Sequence, residues 1–255
     1  MIDTHCHLDR VGDLGAALDN PLAALVTIGT DPERSLSAVR LARDEARVFA
    51  SVGLHPSEAE RAADAAVRAA IEALADEPGV VAIGETGFDT YWRADALPAQ
   101  RRSFAWQAEL ARARDLPLVL HVRDADGRDD ASQAASEMLR EHAWGRGILH
   151  CCNGHEGLID TGLELGWFVS FAGNLTYPRA AAIHAAAVSV PDERLLVETD
   201  APYLAPVPHR GKPNLPGHVV HTATALARFR DVELATLEPL LDANARRCYA
   251  LPSSS

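Results

Sequence analysis

Seven residues of metal-binding type stand where short apolar runs of the chain end. They are His5 and His7 after the run at 2–5, His55 after 47–54, Glu85 at the end of 80–85, His121 in 116–122, His150 in 147–151 and Asp200 after 194–199. His5 and His7 are two apart, so on an extended strand both imidazoles leave from one side and can share one ion. A histidine pair taken alone fits simple packing equally well. The joint pattern, with three further imidazoles and two carboxylates at equivalent places, is hard to obtain by packing. Glu85 follows VVAIG, at a depth where a lone carboxylate is costly to bury and a cation offsets the cost. His121 and His150 each close an apolar run, which suits neutral imidazole ligands of a second ion, although each also fits a satisfied core histidine. Asp200 is the natural last ligand of the first ion and is placed to take a proton from a water activated there. Glu198, two residues earlier on the same side of its strand, is an alternative ligand or a supporting group. A set of this kind performs metal-assisted hydrolysis.

Other polar residues suit substrate contact. Arg123 follows His121 closely and could steady a phosphate, while Asp124 suits a cap of the next helix. The segment APVPHRGKPN (205–214) carries His209, Arg210 and Lys212 on a Pro/Gly-rich loop after the last strand, a region where barrels often bind phosphate; it also fits an ordinary solvated turn. His142, His155, His184, His218 and His221 fall on helices or their edges and have no assigned role.

Those residues need elements to hold them. Strand-like runs at 2–5, 22–29, 47–54, 80–85, 116–122, 147–151, 166–173 and 194–199 alternate with amphipathic stretches at 33–46, 57–75, 98–114, 131–142, 156–165, 179–189, 216–229 and 232–249. Ser57 and Glu60 predict a capping box opening the helix at 57–75. Eight buried strands alternating with helices over 255 residues select an α/β fold, a closed (β/α)8 TIM barrel, whose strand C-termini form one rim. An open doubly wound sheet is the alternative, disfavoured because no GxGxxG turn follows the first strand. With no linker or composition break, residues 1–255 form one domain with a short flexible tail at about 251–255.

Hydrophobic residues are 47% and charged residues 24% of the chain, as in soluble globular proteins. The N-terminus lacks a leader-like pattern and no run of eighteen apolar residues occurs, which predicts a cytoplasmic protein with no membrane contact. Cys6, Cys151, Cys152 and Cys248 form no CxxC pair, so free thiols are expected. A net charge of −12 argues against a broad basic nucleic-acid face, so any phosphate chemistry must lean on metal ions.

Across almost its whole length the chain resembles the TatD family of metal-dependent deoxyribonucleases, a branch of the metal-dependent hydrolase barrels. The similar segments are DTHCHLD (3–9), VGLHP (52–56), VAIGETGFD (81–89), LPLVLHVRDA (116–125), GILHC (147–151), FVSFAGNLT (168–176) and the long LLVETDAPYLAPVPHRGKPN (195–214). The resemblance implies two divalent ions, magnesium, manganese or zinc. His5, His7 and Asp200 would hold the first, Glu85 would bridge, and His121 and His150 would hold the second. It implies that a water activated by both ions cleaves DNA phosphodiesters, with Asp200 and Glu85 as catalytic residues and His55, Arg123, His209 and Arg210 toward substrate. The expected activity is 3′–5′ exonucleolytic on single-stranded DNA or 3′ ends, with no obligate protein partner evident. Two departures bear on substrate contacts: the family's GETGLDY reads GETGFDTY, and its CF after the fourth histidine reads Cys151, Cys152, Asn153. The segment between His7 and the second strand is also short.

Other functions are open on the same residues. A small-molecule amidohydrolase or phosphotriesterase would use the same barrel, although many bridge their metals with a carboxylated lysine and none ends the fourth or fifth strand here. A non-catalytic metal-binding scaffold is a further alternative, against which the complete ligand set speaks.

Overall fold

The computed structural model describes residues 1–252. Its eight strands are β1 (Ile2–Cys6), β2 (Ala24–Ile28), β3 (Val48–Val52), β4 (Val80–Asp89), β5 (Leu118–Arg123), β6 (Gly147–Leu149), β7 (Phe168–Phe171) and β8 (Leu195–Val197). All pair in parallel in chain order, β1 to β8. Parallel neighbours demand crossovers, and helices supply them, covering the sheet from outside.

The barrel closes where β1 meets the segment after β8. Cys6 bridges Ala201, the Asp200 N–H donates to the His5 carbonyl at 2.9 Å, and the His7 N–H donates to the Ala201 carbonyl at 2.7 Å. Buried Asp3 clamps the same seam: its carboxylate accepts from the Thr199 N–H at 2.9 Å and the Thr199 hydroxyl at 2.6 Å.

Strand side chains alternate between two apolar groups. Ile2, Val26, Ala82, Val119, Ile148, Phe168 and Leu196 pack together with Cys248, Tyr249 and Leu251 from the last helix and its end. Leu25, Ile83, Leu118, Leu149, Val169 and Val197 join the helices' apolar faces in the larger core. Period-two alternation on every strand is what gives a sheet two apolar faces. Tyr249 ties its helix to β1 by donating to the Thr4 carbonyl at 2.9 Å.

The elements lie near their expected positions, with three corrections. β4 runs to Asp89, four residues past the expected end at 85. The stretch 57–75 is not one helix opened by Ser57 and Glu60. Pro56–Ala63 forms 3-10 turns and Ala65–Ala75 an α-helix, broken at Asp64, whose side chain accepts from the Ala66 N–H. An aspartate that caps one helix stops the segment before it, and Pro56 at the first position starts that segment. The short helices Leu14–Leu18 and Thr90–Arg93 were not anticipated. Leu251 is buried, with its N–H donating to Arg246, and residues 253–255 of the expected tail lie outside the described residues. No helix among the described residues is long and apolar enough to cross a membrane.

Candidate metal centre

Two β-bulges aim the central ligands. Between β4 and β5 the register runs Gly84 with Val119 and then Thr86 with Leu120, so Glu85 is an extra residue without an opposite partner. Between β1 and β2 a similar shift falls between Asp3 and Cys6, at Thr4 and His5. A bulge redirects one side chain without ending the sheet, a device common beside active sites. Close approach of β4 to β5 also requires the glycines around Glu85. A Cβ on Gly84 would lie 2.5 Å from the Val119 carbonyl oxygen, and one on Gly87 2.1 Å from that of His121.

The side chains converge into two sets of donor atoms. In the first, His7 Nε2 lies 3.2 Å from Asp200 Oδ1 and 3.7 Å from Glu85 Oε2. His5 Nε2 is 3.4 Å from His7 Nε2, 3.6 Å from Glu85 Oε2 and 3.7 Å from Asp200 Oδ1. Four ligands about 2.1 Å from one tetrahedral ion sit about 3.4 Å apart, so these edges fit a single cation. In the second set, Glu85 Oε1 is 2.6 Å from His121 Nδ1 and 3.0 Å from His150 Nε2, and the two imidazole nitrogens are 3.3 Å apart. His55 Nε2 stands at the edge of this set, 3.8 Å from Glu85 Oε1. The His5, His7, Asp200 trio and the His55, Glu85, His121 trio each could hold a metal ion.

Behind these ligands stand groups that orient them. His150 turns its Nδ1 to Glu198 Oε1 at 3.1 Å, and that oxygen also accepts from the Cys151 N–H at 2.8 Å. His5, His150 and Glu198 make a third cluster of possible ligands. Because His150 already points Nε2 at Glu85, Glu198 serves better as the carboxylate that fixes the ring's orientation. His121 is held likewise: its Nε2 faces Asp89 Oδ2 at 3.3 Å. Asp89 was not singled out from sequence, and its place in GETGFD beyond the expected strand end was the only available signal.

The electrostatics fit cations. Glu85 is 3% exposed, with no arginine or lysine among its ion-pair partners. Burial pushes its carboxyl up, but His150, His121 and His5 outweigh that and hold it well below the usual range. For His150 burial lowers the pKa, and Glu85 and Glu198 reverse this to hold it well above the ordinary imidazole value. His7 and His121 are raised against burial by Asp200 and by Asp89 with Glu85 respectively. His5 is lowered by burial and by His150, and burial with His121 pushes His55 down to about 3. A buried anionic centre is thus drawing positive charge onto its own imidazoles. The Nδ1 atoms of His5 and His7 are buried without a hydrogen-bond partner. Divalent ions would satisfy the centre with all imidazoles neutral.

Of the residues expected to touch substrate, His55 is anchored by its Nδ1 to Ser57 and lies beside His121. Gln107 fixes the loop leading to it, exchanging two hydrogen bonds with Leu54. The Arg123 guanidinium lies 4.0 Å over the Tyr91 ring. His209 and Arg210 meet other partners: His209 Nε2 is 3.1 Å from His221 Nε2, and Arg210 lies 4.4 Å over Tyr177. Asn214 moors their loop, donating to the Thr199 and Tyr203 carbonyls at 2.8 Å each. Asp124 does receive the first amides of the following helix, from Ala131 and Ser132.

The chain is similar to known proteins along its whole length. The family model described as TatD related DNase matches residues 2–250. The "Uncharacterized metal-dependent hydrolase TatD" of Mycobacterium tuberculosis is 39% identical over 98% of each chain. The "Uncharacterized metal-dependent hydrolase YcfH" of Escherichia coli is 33% identical over 100% of this chain and 97% of its own. The crystal structure of YJJV, a TatD homolog from Escherichia coli, superposes with a TM-score of 0.90 at 26% identity, covering 99% of this chain and 98% of that one. With the family model spanning the chain from its first strand into its last helix, and relatives above 30% identity along the whole length, the chain belongs to the TatD family of metal-dependent hydrolases.

Proposed function

We propose that this enzyme removes nucleotides from DNA 3′ ends by hydrolysing phosphodiester bonds at a centre of two divalent ions, the whole chain acting as one catalytic domain. The observation that carries the reading is Glu85, whose two oxygens face different imidazole sets: Oε2 toward His5 and His7, Oε1 toward His121 and His150. One carboxylate with two such faces is suited to bridge two ions. His5, His7 and Asp200 would complete the first site, and His121 and His150 the second. Magnesium, manganese or zinc held there would supply Lewis acidity toward a phosphate and make water a better nucleophile near neutral pH.

The protein's own groups do the rest. Burial pushes the Asp200 carboxyl up, yet His7, His5 and His150 outweigh it and hold the group below its ordinary value in the ion-free centre; 3.2 Å from His7 Nε2, its Oδ1 would be placed to accept a proton from a water there. His55, kept neutral by burial, can donate to a phosphate oxygen at the mouth. Arg123, His209 and Arg210 supply contacts along the strand. The matched family's description supports DNA as substrate. Four free cysteines suit a reducing compartment, and we place the enzyme in the cytoplasm.

The test is hydrolysis of 3′-labelled single-stranded DNA by ion-stripped protein resupplied with magnesium, manganese or zinc, beside Asp200→Asn. Stepwise metal-dependent shortening that the variant lacks supports the proposal. A folded, metal-loaded protein that leaves DNA intact would redirect it to a small phosphoester or amide.

A further inference from the structure

Trp92 is the most exposed large hydrophobic residue of the described chain, at 67%, and Tyr91 beside it is 42% exposed. The two stand edge to face with centroids 4.8 Å apart, and the Arg123 guanidinium carbon lies 4.0 Å over the Tyr91 ring and 5.5 Å from the Trp92 ring. Arg123 makes no ion pair among the described residues, so its N–H edge stays available to an acceptor.

This cluster is wired to the metal centre. Asp89 accepts from the main-chain N–H of Trp92 at 2.8 Å through Oδ1 and faces His121 Nε2 at 3.3 Å through Oδ2. Arg123 sits opposite Asp89 in the β4–β5 register, two residues past His121. One carboxylate therefore separates the aromatic pair from a ligand of the reacting centre.

We propose that Tyr91, Trp92 and Arg123 form a stacking subsite for one unpaired nucleobase of the nucleotide adjoining the cleaved phosphate. This rests on the nuclease reading and adds what it leaves open. Aromatic and guanidinium planes stack on any base, because every base has a π-face, and only an unpaired base exposes that face. The free edge of Arg123 then meets the neighbouring phosphate. The subsite makes the enzyme select single strands or frayed ends with little regard for sequence.

The experiment uses metal-loaded protein and two oligonucleotides of equal length and backbone, one all thymine and one whose terminal positions are abasic. Wild type is expected to show a KM about tenfold or more lower for the base-bearing strand, in line with the stacking contribution of one base. Trp92→Ala, a change at an exposed position, should erase that preference, bringing the KM of the base-bearing strand up to that of the abasic strand. In parallel, tryptophan emission is followed in chelator, where nothing is cleaved. Trp92 is the one strongly exposed indole of four, so base-bearing strands should quench it and abasic strands should not. Equal KM values for the two strands in wild type, or a preference surviving in Trp92→Ala, overturns the subsite while the nuclease reading stands. Base-dependent quenching without any DNA cleavage shows that the aromatic pair stacks bases but refutes the nuclease reading and, with it, the subsite's place beside a cleaved phosphate.

Discussion

Replacing Glu198 by glutamine separates a supporting carboxylate from a ligand. Glu198 is fully buried; its Oε1 accepts from the Cys151 N–H at 2.8 Å and faces His150 Nδ1 at 3.1 Å, while its Oε2 has no hydrogen-bond partner. A glutamine oxygen can keep both contacts, so His150 should hold its orientation but lose the charge that strengthens it as a ligand. Losses of such outer carboxylates run at about 10- to 100-fold in metal affinity, or about 1.4–2.7 kcal/mol. The new NH2 group occupies the place of the unpartnered oxygen, and a buried donor without an acceptor costs about 1–3 kcal/mol. For a chain of this length that lowers Tm by about 2–12 °C. Calorimetric titration of ion-stripped protein with manganese or zinc, beside a melting curve without ions, reads both effects. Weakening should be confined to the step served by His121 and His150. If affinity and Tm both match the wild type, or if both binding steps vanish together, Glu198 does not act through His150.

Three further outcomes follow from the same geometry. Because His7, His121 and His150 are raised above the ordinary imidazole value, they hold their protons to higher pH than a free imidazole, and ions must compete with those protons. Metal affinity should rise with pH and loading should release protons, seen as a dependence of binding heat on buffer ionisation; the ion-free protein, conversely, should lose stability as pH climbs above 6.5 through the raised values. Gly87→Ala places a Cβ 2.1 Å from the His121 carbonyl oxygen at a φ of +136°, which should cost about 3 kcal/mol or more in urea unfolding and weaken metal binding; wild-type values for both would contradict the close approach. Asp3→Ala strips partners from the Thr199 N–H and hydroxyl and the His5 N–H, so about 2–4 kcal/mol of stability should disappear, and a variant as stable as wild type would dismiss the clamp.

What could be read from the residues follows from the barrel's geometry. Parallel strands buried on both faces make a polar residue at a strand end conspicuous, so His5, His7, Glu85, His121, His150 and Asp200 stood out, and the structure brings all six together. Residues one step behind them did not. Asp89 became invisible once β4 was ended at Glu85, because a bulge breaks the alternation that marks a strand. Asp3 resembles any polar residue near a chain start until its partner Thr199 arrives from the far end of the sequence. The break at Asp64 was hidden because Ser57 and Glu60 matched a local capping pattern that the competing cap at Asp64 overrides.

The two donor sets differ in where they lie along the chain, and that gives the barrel seam a role in assembly. Glu85 and His121 come from β4 and β5 and His150 from the end of β6, so the donors of their half lie in the middle of the chain, with Glu198 arriving from beyond β8 to orient His150. His5 and His7 meet Asp200 only after β8 has returned to β1, across the junction fastened by Cys6 with Ala201 and Asp3 with Thr199. An ion in that half would act as a clasp on the largest loop the fold must close, and its binding energy would count toward ring closure as well as toward chemistry. Loss of such an ion would loosen the circle itself, whereas loss of one in the other half would leave the circle shut.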